Sequence, residues 1–291
     1  MEAWRYRELL GTLIRRELDV RYKNSLFGVA WSLANPLVRA LVLWAVFDKI
    51  APLGVHDYSA YLLAAFLPWT FFLTGTLDAA ESVSKQMALV RKVYFPRELL
   101  PLATTLANLR HFLLSLVAVA VPFLVFLYGR DTLAHGRLSL PPAEILLVPL
   151  LVILQTLLIA GLALFLSALN VFLEDTKFLA AVVLDLLFYA VPIIYFIEQV
   201  AVTPAFSPST ARLLHDLFLL NPMTVLLVSW RVCLLRPTTM PAGRFGLGED
   251  LAVNQGIPWA FLGIAGVVCI GVFLGGYAFF NRRKWRFVEQ M

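Results

Sequence analysis

Ile145 to Leu169 reads ILLVPLLVILQTLLIAGLALFLSAL. About 20 consecutive apolar residues let a helix cross the hydrocarbon of a bilayer, and this run exceeds that length, so it reads as a spanning helix. Five further stretches read the same way: Gly28 to Ile50, Tyr58 to Leu77, Leu106 to Tyr128, Phe178 to Phe196 and Ile257 to Phe280. The composition agrees. Of 291 residues, 60% are hydrophobic and 15% charged, and the mean hydropathy is +0.79. Soluble domains run near 25% charged, which excludes an ordinary soluble globular protein. The fold expected is all-α and integral to the membrane, one compact domain of six transmembrane helices over residues 25–291.

The net charge of +5 and a pI near 9.3 raise nucleic acid as a partner. The basic residues sit beside apolar runs, however, and form no separate basic module, so a lipid surface accounts for them and no nucleic acid is expected. Cys233 and Cys269 form no CxxC or Cys/His cluster, and His56, His111, His135 and His215 are dispersed, so neither a disulfide framework nor a metal site is expected.

Met1 to Lys23 mixes acids with bases and has no uninterrupted apolar core, unlike a signal peptide. Tyr6, Leu10, Leu13, Ile14 and Leu18 recur at three- and four-residue steps, with Arg7, Arg15, Arg16 and Asp19 between them. Residues 1–24 therefore read as an N-terminal amphipathic interface helix, lying in the bilayer surface or packed against a partner. Ile197 to Gly256 is too long for a turn between spans. Its apolar pieces, Leu213 to Leu220 and Met223 to Leu235, are broken by Asn221-Pro222 and are too short to cross singly. The segment 197–256 is expected to be an external re-entrant helical hairpin between spans five and six.

The charges orient the chain. Arg5, Arg7, Arg15, Arg16, Arg21 and Lys23 precede the first span; Lys85, Arg91, Lys92 and Arg97 follow the second; Lys177 lies in the Asn170 to Lys177 loop; Arg282, Arg283, Lys284 and Arg286 form a basic tail in residues 281–291. The opposite face has fewer, spread over more chain: Lys49, Arg130, Arg137, Arg212, Arg231, Arg236 and Arg244. The positive-inside rule puts both termini in the cytoplasm.

Four segments carry more than composition: Glu17 to Leu37 (ELDVRYKNSLFGVAWSLANPL), Val90 to Leu102 (VRKVYFPRELLPL), Asn170 to Phe196 (NVFLEDTKFLAAVVLDLLFYAVPIIYF) and Leu220 to Arg231 (LNPMTVLLVSWR). Together, in order and from end to end, they resemble the permease subunits of ABC transporters that export cell-surface polysaccharides, the Wzm and TagG class. The resemblance implies a multi-pass protein of the bacterial inner membrane, paired with a second copy of itself and bound to two ATP-binding subunits. It also implies a polyprenyl-diphosphate-linked glycan, such as O-antigen or teichoic acid, as cargo. ATP and Mg belong to the partner ATPase; this chain has no GxxxxGK[ST] loop to cradle nucleotide phosphates, and no cofactor or catalytic residue is expected on it.

Residues 78–105 are the candidate coupling loop. Tyr94 and Phe95 are expected to present apolar surface before Pro96, which suits a first helical turn, with Arg91, Lys92, Arg97 and Glu98 around them. The resemblance makes this segment similar to a coupling helix seated in an ATPase groove; anionic lipid is the other partner such residues meet. Arg21 and Lys23 could bind the lipid diphosphate as it enters, or simply anchor the chain. Arg39 lies roughly 16 Å along span one from Gly28. A cation there needs water or a partner, so it is expected to face the translocation path or to pair with Asp185 in span five. Trp44, Phe47, Trp69, Phe72, Tyr189 and Tyr195 are candidate channel aromatics, over whose faces sugar rings could slide; an interfacial belt is the alternative for each. Pro68, Pro122, Pro149 and Pro192 are expected to kink their helices. Gly271 and Gly275 form a GxxxG pair beside Gly276 for close helix contact, and Glu174-Asp175 is expected to cap span five. Two other functions fit the composition. One is an ABC exporter of a small hydrophobic compound; the other is a membrane glycosyltransferase using Asp48 or Asp57.

Overall fold

The computed structural model describes residues 6–22, 38, 41, 42, 45, 46, 54, 55, 57–92, 95–136, 140–241 and 249–288. The first expected span, Gly28 to Ile50, lies almost wholly outside them, as do Lys23, Arg39, Trp44, Phe47, Asp48 and Tyr94.

In chain order the helices are α1 (Arg7–Tyr22), α2 (Tyr58–Ala80), α3 (Ser82–Lys85), α4 (Met87–Lys92), α5 (Leu99–Ser115), α6 (Val121–His135), α7 (Val148–Phe172), α8 (Thr176–Ala190), α9 (Ile197–Val202), α10 (Pro208–Leu220), α11 (Pro222–Leu234) and α12 (Trp259–Arg283). Among the described residues four helical stretches are long and apolar enough to cross a membrane: Tyr58–Ala80, Leu99–Ala134, Ala143–Phe172 and Trp259–Phe287. Helices α10 and α11 make a fifth if the two, bent by 90° at Asn221, are one broken span. Six spans are therefore not what the described residues contain. The fifth expected span is cut short: α8 has 15 residues, about 22 Å of helix against ~30 Å of hydrocarbon. Pro192, expected to kink this helix, instead follows its last turn, where Val191 is already extended. The third expected span is longer than foreseen, because α5 and α6 are continuous through a π-helical segment, Leu116–Ala120. Pro122 comes just after that π-helical segment, and Pro149 just after the 3-10 segment Ala143–Leu147 that leads into α7.

Helix α2 is the hub. Buried on most of its length, it packs on α5, α7, α8 and α11. Pro68 lies within it, and Gln155 of α7 donates from Nε2 to the Pro68 carbonyl at 2.6 Å while accepting from Trp230 Nε1 of α11 at 3.0 Å. One buried amide thus ties three helices where no water can serve. The most extensive helix pairing is α7 with α12. Its cause is glycine: a Cβ on Gly161 would lie 2.6 Å from the Val272 carbonyl group, and one on Gly276 would collide with the Gly161 carbonyl. A Cβ on either of the expected GxxxG residues Gly271 and Gly275 would meet nothing within 4 Å among the described residues, so the close contact belongs to their neighbour.

A two-stranded antiparallel ribbon, β1 (Thr238–Met240) with β2 (Leu251–Val253), pairs Thr239 with Ala252 and departs from the all-α expectation. The apolar face of α1 is covered by the chain itself: Leu13 is buried and the helix packs on α5.

Candidate functional site

The end of the bundle that carries α1 is sealed by a second core, distinct from the main one. It gathers Leu13 of α1, Val83 of α3, Val90 of α4, Phe95, Leu99 and Leu100 at the start of α5, Leu164 of α7, Phe280 of α12 and Phe287. Phe287 belongs to the 3-10 turn Lys284–Val288 that continues α12. It meets Phe280 edge-on at 5.4 Å and Phe172 at 5.7 Å. Phe95, expected at the surface, is 6% exposed and faces this core. An apolar ring beside a proline is as good a plug for the chain's own core as a knob for a partner, and here it joins the core that holds Leu99 and Phe287.

Polar groups hold the same junction. Arg97 donates to the Lys284 carbonyl and stands 6.0 Å from the Phe287 ring centre. Lys284 Nζ is 3.4 Å from an oxygen of Glu98, which is buried. Gln86 Nε2 donates to Glu17 of α1 at 2.7 Å, and Asn170 Nδ2 donates to the Ser84 hydroxyl at 3.0 Å. Glu81, following α2, accepts Lys177 at 2.8 Å and Lys85 at 2.5 Å. Those two ammonium groups, Lys177 foremost, hold its carboxyl below the ordinary carboxylate range. Glu174 and Asp175 are exposed, and Asp175 makes no side-chain cap to α8, contrary to expectation. The backbones of Arg21, Arg91 and Lys92 are helical.

The aromatic candidates separate. Trp69 and Phe72, expected to line a channel, are buried within the chain, 5.5 Å apart between ring centres, with Trp69 also 5.8 Å from Phe188. Tyr189, 71% exposed at the end of α8, and Tyr195 border a cavity of about 440 Å³. Gln199, Phe206, Leu214 and Phe218 are among the other residues of its wall. Asp185 is exposed on the same helix as Tyr189; its expected partner Arg39 lies outside the described residues. Asp57 is engaged by Arg130 at 2.6 Å, so the carboxylate suggested for glycosyl transfer is committed to an ion pair.

Sequence reasoning missed Phe287, Glu81 and Gln155. The first two follow only from tertiary packing, whereas an amide inside an apolar run such as Gln155 is a signal that could have been used. It also counted Arg231 merely as an outer-face charge, although that cation closes an almost wholly apolar run.

Comparison with known proteins adds an independent finding. The profile of the family described as "ABC-2 type transporter" matches residues 8–232. The chain is 26% identical over 290 residues, 97% of its length and 94% of the other protein's, to an O-antigen export system permease protein RfbA of Klebsiella pneumoniae. A second RfbA permease of that organism is 24% identical over the same shares. One from Myxococcus xanthus is 33% identical over 41% of this chain and 46% of its own.

Proposed function

We propose a function from the premise that this chain belongs to the ABC-2 type transporter family: it is the membrane permease of an exporter of a lipid-linked cell-surface polysaccharide, driven by a separate ATP-binding subunit. The observation that carries this reading is the end-to-end likeness, over 97% of the chain, to O-antigen export permeases. The work falls to two regions. The segment Arg91 to Glu98 receives the ATPase at the cytoplasmic face. Because Phe95 is set in the core shared by α1, α5, α7 and the turn after α12, a push there is delivered to those helices as one body. A second copy completes the path, to which the exposed face of α8 with Asp185 and Tyr189 contributes. Arg21 and Lys23 meet the diphosphate at the cytoplasmic side, and Arg39, deeper in the first span, faces the path that it enters. Tyr189 and Tyr195, which border the cavity, offer sugars ring faces over which a polymer can slide.

The test is purification of a tagged copy from its native host in mild detergent, with mass spectrometry of what accompanies it. Recovery of an ATPase with phosphate-binding loops in equal amount is expected, and deletion of the chain should trap lipid-linked glycan in the cytoplasmic leaflet. Recovery of the chain alone, with undisturbed surface glycan on deletion, would sink the reading.

A further inference from the structure

The run LNPMTVLLVSWR, Leu220 to Arg231, contributes neither to the cytoplasmic-end core nor to the cavity. Its marked residues each have a structural task. Asn221 caps α11, its side-chain oxygen accepting from Met223 N at 3.0 Å, and Pro222 occupies the first turn. Trp230 reaches Gln155. Arg231 is 2% exposed, in a helix whose residues from Met223 to Leu234 are all buried. Its guanidinium donates from Nε to the Tyr61 carbonyl at 3.2 Å, from Nη1 to the Tyr195 carbonyl at 2.9 Å and from Nη2 to the Ile193 carbonyl. It also stands over the Phe196 ring at 5.1 Å. Between the two outer acceptors, the Ile194 carbonyl accepts from the Tyr58 hydroxyl.

Three consecutive carbonyls, Ile193, Ile194 and Tyr195, are therefore each held by a side chain from another element. They need it because α8 ends before Pro192 and the chain runs non-helical to Ile197. Backbone oxygens released from a helix and shielded from water are costly unless met. Five rigidly forked donors suit that task better than a single ammonium does. The corner also joins the two walls of the 440 Å³ cavity: Tyr189 ends α8 on one side, and Gln199, Phe206 and Phe218 lie beyond the corner on the other, with Tyr195 between.

We propose that Arg231 is a positioning residue for export. It fixes the corner Val191–Phe196, and through it the spacing of α8 from the α9–α10 arm. Arg231 touches no cargo; it acts by keeping the cavity walls in register while α8 transmits movement. The consequence for export rests on the function proposed above, whereas the fixed corner is a property of this chain alone.

The test uses the full-length chain, purified with whatever ATPase accompanies it, as Arg231→Met, Arg231→Lys and Tyr58→Phe variants. Tyr58→Phe removes one hydroxyl and keeps the buried ring, so it folds even where Arg231→Met does not. Amide hydrogen exchange over residues 194–203 should rise about tenfold in Tyr58→Phe and more in Arg231→Met, while α7 and α12 exchange as in the native chain. Arg231→Lys should fall between native and Met. Glycan exported per ATP hydrolysed should fall several-fold with ATP turnover retained. Unchanged exchange over 194–203 would overturn the proposal, as would an equal rise throughout α2, α7 and α12, or a loosened corner with undiminished export per ATP. Absence of any ATPase or trapped glycan would count against the exporter and leave the exchange result standing.

Discussion

A single methyl group decides whether α7 and α12 can meet. Gly161 and Gly276 bring the two backbones together, so that each would lose its place to a Cβ. Apolar side chains gain little by leaving lipid, and close backbone packing supplies the association instead. Gly161→Ala or Gly276→Ala should each cost roughly 1–3 kcal/mol through overpacking. Gly271→Ala and Gly275→Ala, with open space around both sites among the described residues, should leave the melting temperature in detergent unchanged. Thermal unfolding followed by size-exclusion fluorescence distinguishes the two pairs. Sequence spacing pointed at the second pair because Gly271 and Gly275 make the pattern. What selects Gly276 is the crossing point with Gly161, which one chain's spacing does not contain.

Elements are joined at the α1 end by two devices of different pH response. Glu81 holds α2 to the start of α8 through Lys177 and to α3 through Lys85. Its carboxyl titrates below its ordinary value of 4.5 in the folded chain, so the stabilisation is present above that unfolded value and disappears as pH falls through the depressed folded one. Glu81→Gln should therefore lower the melting temperature at pH 7, and the difference from the native chain should shrink below pH 4.5. Phe287 is the apolar device. Phe287→Ala removes a fully buried ring, an exchange that costs about 3–5 kcal/mol in packed cores, and should lower export more than ATP turnover in the purified complex. The existence of α2, α7 and α12 was legible from run length alone. The end of α8 was misjudged because Phe196 and Tyr195 extend its apolar run past Pro192, whereas the proline and not the hydropathy ends the helix. The ribbon β1–β2 was missed because three-residue strands leave no periodicity to read. The stretch Phe95 to Glu98 stands out in the sequence, but the direction of Phe95 does not: it faces a core that also contains Phe287, nearly two hundred residues away.

At the scale of the molecule, burial is uneven in a way that ranks the helices. The apolar window of Tyr58–Ala80 is 78% buried, against 22% for both Leu99–Ala134 and Trp259–Phe287. One helix is therefore enclosed by protein and two chiefly by whatever surrounds the chain. Val125 and Phe126 on α6, Val182, Val183 and Leu186 on α8, and Val267 and Leu274 on α12 are exposed, a surface suited to lipid or a second copy. Orientation is testable directly, because Cys233 and Cys269 are both buried. Arg212→Cys, exposed on α10, should react with an impermeant maleimide in intact cells. Arg282→Cys, exposed at the end of α12, should react only after permeabilisation; the reverse pattern would invert the topology. The pairing of α7 with α12 bears, finally, on how the protein is made. Chains emerge from the ribosome N-terminal part first, so the contact at Gly161 cannot form until translation has passed Gly276, nor can the second core close before Phe287 is out. The closest helix contact described in this chain is therefore made late in synthesis, joining α12 to a partner, α7, that left the ribosome about a hundred residues earlier.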